Sequence, residues 1–165
     1  MKLLLTLMLL TTAMLLSVSD ARADALNLSL VSPMSGVPSN ILSFTGTITA
    51  PNSNSGVVYL NGDSLSLGGP FTLDDAPFIL NAPFFMNPGE TYTGVLFTVT
   101  INPNAATGIY NGFFIILGGS SPTALSQVSN AAAFQAVVVP EPATMVLLST
   151  GLAGAMLGRR RRTKS

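Results

Sequence analysis

The side chains used most often in catalysis are absent from this sequence. The chain has no His and no Cys, so it cannot form Ser-His or Cys-His nucleophile pairs, the usual zinc sites or a disulfide. Two carboxylates that flank a glycosidic bond are the remaining route to hydrolysis. Asp74 and Asp75 are adjacent, however, and adjacent residues of a strand point to opposite faces. We therefore predict a solvated Asp-Asp turn, no enzyme activity and no cofactor, with a carboxylate hydrolase as one alternative.

Oxygen ligands and aromatic rings are the other groups that could bind a ligand. Asn61, Asp63, Asp74 and Asp75 carry oxygens that calcium takes, but their spacing lacks the D-x-D-x-D-G pattern, so surface turns are expected and no metal site is predicted. Aromatic residues could form a carbohydrate platform, although strand spacing assigns most of them to the core. They are Tyr59, Phe71, Phe78, Phe84, Phe85, Tyr110, Phe113 and Phe114. The alternative function is thus a small carbohydrate- or calcium-binding surface module.

Charge divides the chain into three parts. Residues 24–138 contain five acids and neither Lys nor Arg, which gives this part a formal charge of −5. Nucleic-acid binding needs cations that neutralise phosphates, so we predict no nucleic-acid partner. A part of this length suits one domain with its own core. We expect a mildly acidic passenger domain, with every basic residue in the flanking segments.

Residues 1–23 have the organisation of a secretory signal peptide. Lys2 precedes an apolar segment, residues 3–16, and small residues follow it. Two overlapping A-x-A sites fit the cleavage rule, so the mature chain is expected to begin at Asp24 or Leu26. The candidate cleavage residues are Ala21, Ala23 and Ala25. The predicted partners in export are the Sec machinery and a signal peptidase, and the alternative is a membrane-anchored N-terminus.

Residues 139–165 combine an extended peptide, an apolar run and a basic end. The peptide is Val139-Pro140-Glu141-Pro142, whose prolines disfavour both helix and strand. The run 143–158 is uncharged and would rise about 24 Å as a helix, against about 30 Å for a hydrocarbon core. The residues that end it are Arg159, Arg160, Arg161 and Arg162. By the positive-inside rule they stay in the cytoplasm, so we predict a short transmembrane helix with the passenger on the far side.

This order of elements resembles the PEP-CTERM sorting signal of Gram-negative bacteria. Pro140-Glu141-Pro142 corresponds to the motif, residues 143–158 to the transmembrane helix and 159–165 to the basic tail. The resemblance implies processing by an exosortase, a membrane-embedded enzyme that recognises the motif and releases or transfers the passenger. It implies a place at the cell surface or in the extracellular matrix of a biofilm, with an exopolysaccharide as a candidate partner. The alternative is an ordinary C-terminal anchor with a proline-rich stalk.

The passenger alternates between apolar and polar residues, as half-buried antiparallel strands do. The inward residues predicted for strand 41–50 are Leu42, Phe44, Ile48 and Ala50, and those for strand 91–101 are Val95, Phe97, Val99 and Ile101. Further strands are predicted at 26–31, 57–60, 78–80, 108–117 and 134–138, which together suggest a sandwich. Asn61-Gly62 predicts a type I′ turn that folds 57–60 onto 64–67.

The stretch from Asn87-Pro88-Gly89 to Gly108-Ile109-Tyr110 resembles the last strands of bacterial immunoglobulin-like modules. The resemblance implies that Tyr110 bonds to the backbone across a corner, which is a packing role. We therefore predict that residues 24–138 form an all-β, immunoglobulin-like antiparallel β-sandwich. Its expected role is structural or adhesive.

Overall fold

The computed structural model describes residues 25–141 and 147–152. Residues 25–141 form ten strands and one short helix. The strands are β1 (Asn27–Leu30), β2 (Met34–Gly36), β3 (Ile41–Thr49), β4 (Val58–Leu67), β5 (Phe71–Asp74), β6 (Phe85–Met86), β7 (Thr91–Ile101), β8 (Gly108–Gly119), β9 (Ser126–Gln127) and β10 (Ala132–Val138). The helix is α1 (Ala76–Asn81).

The strands form two sheets that enclose the core. The first sheet has the order β1-β3-β7-β5, and the second has the order β2-β10-β8-β4-β6 with β9 paired to β8. Strand β10 pairs with β2 in parallel and with β8 antiparallel, and the main pairs of both sheets are antiparallel. The predicted all-β sandwich is confirmed.

Four phenylalanines at the centre of the core join the two sheets. Phe44 and Phe97 come from the first sheet, whereas Phe114 and Phe134 come from the second, and all four are at most 1% exposed. The Phe97 ring stacks on Phe44 and Phe114 at centroid distances of 4.8 and 5.1 Å, and it lies 4.8 Å from the Phe134 ring. Such ring contacts add to the energy of burial, so the domain has a dense core in place of disulfides.

A bulge in β7 changes one predicted inward residue. Phe44 pairs with Phe97, and the next pair is Thr45 with Val95, so Leu96 is an extra residue on β7. One extra residue reverses the alternation beyond it. Leu96 is therefore buried beside Phe97, while Val95 is 37% exposed. The prediction that Val95 faces the core is wrong, whereas the other seven predicted inward residues are buried.

A second bulge stands where a hairpin turn was predicted. Strand β4 is continuous, with Leu60 opposite Gly118 and Gly62 opposite Leu117, so Asn61 is the extra residue. The predicted type I′ turn at Asn61-Gly62 is wrong. The Asn61 side-chain amide instead donates to the carbonyls of Ser121 and Ala124, at 2.9 and 2.8 Å. These long-range bonds are invisible to a local turn rule, and they tie the loop after β8 to β4.

The predicted strand 78–80 is also wrong, because these residues lie in α1. Pro77 occupies the first turn of the helix, where its fixed φ fits and its missing N–H costs nothing. Phe78 is buried and packs edge-on against Phe114 at 5.5 Å. Ile79 and Leu80 are exposed. A short helix that begins with a proline and has one buried apolar residue thus replaces the expected strand. The strands predicted at 26–31, 108–117 and 134–138 correspond to β1, β8 and β10.

Candidate functional site

The predicted sorting peptide begins where β10 ends. Val138 is buried and pairs with Gly36 of β2 and Gly108 of β8. The backbone N–H of Val139 still donates to the Gly36 carbonyl at 2.9 Å. Sheet bonding therefore extends one residue into the peptide, and no linker separates the folded domain from it.

Beyond Val139 the described peptide is exposed and belongs to no strand. Pro140 has no N–H to continue the ladder, and both Pro140 and Glu141 are exposed. Val139 itself is 36% exposed. Pro140 and Glu141 thus stand clear of the sheet and are accessible to another protein, while Pro142 lies outside the described residues.

Much of the predicted export and anchor machinery also lies outside the described residues. Residues 147–152, part of the predicted span 143–158, are helical and exposed; the rest of that span and Arg159 to Arg162 are not described. Among residues 25–141 and 147–152, no helix is long and apolar enough to cross a membrane. Residues 1–23, with Ala21 and Ala23, likewise fall outside the described chain.

The described part begins at Ala25, one of the candidate cleavage residues. Ala25 is exposed, but its backbone is held in place, because its N–H donates to Asn54 Oδ1 at 3.2 Å. The Asn54 amide donates back to the Ala25 carbonyl at 2.9 Å. Leu26 is already in the core, at 1% exposure. Cleavage after Ala23 preserves the paired bonds at Ala25, whereas cleavage after Ala25 removes them.

The four candidate calcium ligands do not share one arrangement. The Asp74 carboxylate accepts the N–H of Ala76 at 3.0 Å in the turn before α1. The Asp63 oxygen Oδ2 is buried and has no hydrogen-bond partner, and so is the Asn61 oxygen Oδ1. Asp75 lies near enough to Asp63 to repel it. In the part of the chain that the structure describes, no group of three or more His, Cys, Asp or Glu residues is placed to hold a metal ion.

Burial, and then the negative charge of Asp75, raise the pKa of Asp63 to about 6 from an ordinary 3.8. Between these two pH values the folded chain holds more protons at Asp63 than the unfolded chain does. The free energy of unfolding therefore falls as pH rises through this window. Above pH 6, where Asp63 is ionised, the fold is less stable than it would be with this carboxyl protonated. A bound cation would have the opposite effect, because it would stabilise the ionised carboxylate.

An exposed aromatic cluster lies beside a cavity near α1. The Tyr59 ring is 5.7 Å from Phe84 and 6.0 Å from Phe85, and these phenylalanines are 59% and 46% exposed. The cavity has a volume of about 300 Å³, at the lower end for small-ligand sites. The side chains that line it are apolar apart from that of Asn61, and the lining residues are Leu60, Asn61, Gly62, Phe78, Ile79, Ala82, Pro83, Phe84 and Pro122. The sequence indicated the three rings of the cluster as candidates for a carbohydrate platform, but it could not place them together or predict the cavity, because the parts of this site lie far apart in the chain.

The other predicted aromatic residues have structural positions or stand alone. Phe78 and Phe114 are buried, as expected of core residues. Phe71 and Tyr110 pack edge to face at 4.9 Å, and the Tyr110 hydroxyl donates to the carbonyl of Ala106 at 3.0 Å. The predicted backbone bond of Tyr110 is confirmed. Phe113 is 41% exposed and makes no ring pair among the described residues.

Comparison with known proteins identifies the C-terminal segment. Residues 138–162 match the family described as the PEP-CTERM protein-sorting motif. The chain therefore carries this sorting motif, as its sequence indicated, and the motif implies exosortase processing of an exported precursor. A comparison with curated proteins finds no match.

Solved structures give distant likenesses to the domain. The PapD-like domain 7 of human CEP192 has a TM-score of 0.44 at 9% identity, over 76% of this chain and 93% of that one. A CaDoc0917–CaCohA2 complex has a TM-score of 0.41 at 16% identity, and the match covers 70% of this chain and 100% of that one. The Coh-OlpA-Doc918 cohesin-dockerin complex of Clostridium thermocellum has a TM-score of 0.38 at 8% identity, with the same coverage of 70% and 100%. None of these likenesses assigns a role to the present chain.

Proposed function

We propose that this protein is an exported, non-catalytic surface protein that an exosortase-type enzyme sorts through its C-terminal signal. In this proposal the immunoglobulin-like domain is the passenger, and it serves a structural or adhesive role at the cell surface or in the extracellular matrix. The observation that carries the proposal is the match of residues 138–162 to the sorting motif.

The geometry at the end of β10 supports recognition of the motif on the folded protein. Val138 closes the core and Val139 makes the last sheet bond, while Pro140 and Glu141 are exposed. A processing enzyme can therefore bind the extended peptide without unfolding the passenger. Removal of the chain beyond Val139 leaves every paired strand intact.

A triple substitution of Pro140, Glu141 and Pro142 by alanine separates sorting from simple anchoring. Alanines lose the fixed φ, the carboxylate and the resistance to helix, while the apolar run and the arginines stay unchanged. We expect the variant to accumulate as an unprocessed, membrane-held precursor in a host that has an exosortase. Mass spectrometry of the membrane and released fractions measures the outcome.

Two controls define what this experiment tests. The wild-type chain in the same host without its exosortase should show the same unprocessed mass. Serines in place of Arg159 to Arg162 should disturb orientation or retention, whether the tail is a sorting signal or an anchor. Normal processing of the triple-alanine variant, with unchanged thermal stability of its domain, would refute sorting through this peptide.

A second candidate function is binding of a neutral carbohydrate at the aromatic cluster. Exposed aromatic rings offer apolar faces on which the C–H faces of sugars can stack. Tyr59, Phe84 and Phe85 provide three rings, and the adjacent cavity contains one amide side chain, Asn61. Asp63, which follows the lining residue Gly62, and Asp75, which directly precedes α1, would repel an anionic glycan. A neutral polysaccharide therefore fits this surface better than an acidic one.

Affinity electrophoresis in gels that contain a neutral or an anionic polysaccharide tests this binding function. We expect retardation by a neutral polysaccharide, and we expect the double variant Phe84→Ala and Phe85→Ala to lose it. Phe113→Ala is the matched control, because Phe113 is an exposed phenylalanine outside the cluster. Equal loss in the control, or no retardation of the wild-type protein, would exclude the site.

A further inference from the structure

The folded domain and the apolar run are joined by a very short segment. Four residues, 139–142, lie between the buried Val138 and the start of the run at Ala143. Fully extended, they span about 14 Å at roughly 3.5 Å per residue. The interfacial layer on one side of a bilayer is about 5–8 Å thick. In the membrane-held precursor of the proposed function, the end of the sandwich around Val139 thus lies within about 10 Å of the lipid headgroups.

Three loops share this end of the sandwich with Val139, and we call them together the tail end: residues 37–40, 68–70 and 102–107. Gly36, which accepts the Val139 bond, lies against Asn40. The Asn40 carbonyl accepts the N–H of Ile101 at 2.9 Å, and the N–H of Asn102 donates to the Pro70 carbonyl at 3.0 Å. These contacts connect all three loops to the point where the tail leaves.

The tail end is uncharged and is flanked by two exposed isoleucines. None of its three loops contains Asp, Glu, Lys or Arg. Ile41 begins β3 directly after the first loop, and Ile109 lies near the start of β8 opposite Val137. Their exposed fractions are 65% and 63%. Because Leu42 and Val138 face the core, Ile41 and Ile109 lie on the outer faces of the two sheets, at the ends of their strands, and they enter any layer that the adjoining loops penetrate.

The acids of the domain are placed away from the tail end. Asp74 pairs with Thr98, three residues up β7 from its last residue. Asp63 pairs with Ile116 in the distal half of β8, and Glu90 precedes the opposite end of β7. The three loops therefore bring no carboxylate of the domain against anionic lipids. The acid beside them is Glu141 of the segment 139–142, which is exposed and can keep its hydration at the membrane surface.

We propose that the tail end is a membrane-contact surface, which rests on the bilayer in the precursor with Ile41 and Ile109 in the headgroup region. The proposal rests on the proposed function, because it requires the apolar run to hold the precursor at a membrane. Burial of the two isoleucines favours the contact, and the short segment 139–142 keeps the domain within reach. The contact holds the exposed residues Pro140 and Glu141 close to the membrane surface, where a membrane-embedded enzyme can bind them.

Single tryptophans test this orientation, because the chain has none of its own. The full chain with Ile41→Trp or Ile109→Trp is reconstituted into phosphatidylcholine and phosphatidylglycerol vesicles that contain brominated lipids. Leu80→Trp is the control, since Leu80 is 78% exposed in α1, away from the tail end. We expect the bromines to quench Trp fluorescence several-fold more strongly at positions 41 and 109 than at position 80.

Vesicle flotation, measured before quenching, separates this proposal from the proposed function. A chain that does not float with vesicles would remove the anchor and both proposals together. A chain that floats but shows equal quenching at all three positions, or none, would overturn the membrane contact alone. Absence of quenching combined with slower tail removal for Ile109→Ser, in a host with an exosortase, would assign the surface to the enzyme and also overturn it.

Discussion

Phe97 makes the most ring contacts in the core, so its truncation is the sharpest test of the fold. Its side chain is 0% exposed. Its ring lies 4.8 Å from Phe44, 5.1 Å from Phe114 and 4.8 Å from Phe134. Because these partners come from both sheets, Phe97→Ala removes contacts within a sheet and across the interface at once.

The expected cost follows from the size of the lost side chain and its surroundings. Truncation of a buried phenylalanine to alanine costs about 3–5 kcal/mol. Each aromatic pair adds roughly 0.5–1.5 kcal/mol beyond area burial, which places Phe97→Ala in the upper part of that range. A domain of this size has a total stability of about 5–15 kcal/mol. Phe97→Leu keeps much of the volume and should cost about 1–2 kcal/mol, which leaves a measurable transition.

Urea unfolding of residues 24–141, followed by far-ultraviolet circular dichroism, measures these free energies. Phe113→Ala is the matched control, because Phe113 is a strand phenylalanine that is 41% exposed. It should cost about 1 kcal/mol or less. The m-value should stay constant across the series if only the native contacts change. Equal costs for Phe97→Ala and Phe113→Ala would refute the assignment of core and surface.

Three further predictions concern single contacts. Asp63→Asn should raise the free energy of unfolding above pH 6 by about 1–2 kcal/mol, after a discount for the partial exposure of Asp63. The variant should also lose the decrease in the free energy of unfolding that the wild-type protein shows between pH 4 and 6. Urea titrations at several pH values measure both effects. Tyr110→Phe should cost about 1 kcal/mol through loss of the bond to the Ala106 carbonyl, and no loss would show that water replaces this bond. Gly118→Ala should lower the melting temperature, because a Cβ there would overlap the Tyr59 carbonyl, whereas Gly56→Ala, in open space, should not.

The sequence predicted the strands best where one strict alternation runs their whole length. Leu42, Phe44, Ile48 and Ala50 are all buried as expected, because the alternation within β3 is unbroken and the extra residue of the bulge lies in β7. In β7 the same rule placed Val95 in the core incorrectly. A bulge adds one residue without any special residue type at Leu96, and only the pairing with β3 reveals it.

Asn61-Gly62 and residues 78–80 show how tertiary contacts override local preferences. Asn-Gly is a strong turn signal, but the Asn61 amide makes two bonds to the loop after β8. These bonds and the pairing with β8 favour a continuous strand with a bulge. In residues 78–80, the run of apolar residues suggested a strand. Pro77 and the single anchor Phe78 favour a helical turn instead.

The two candidate sites differ in how far a local stretch of sequence can predict them. The sorting peptide is a continuous segment whose proline, glutamate and neighbouring apolar run are recognised by type and order, so sequence alone identified it. The aromatic cluster joins Tyr59 of β4 to Phe84 and Phe85 beyond α1, and it exists only because β6 pairs with β4. Sequence could name these rings as candidates but could not distinguish them from the core ring Phe78. The proposed sorting of this protein therefore depends on one short linear segment, whereas a ligand of its passenger would be selected by the folded surface.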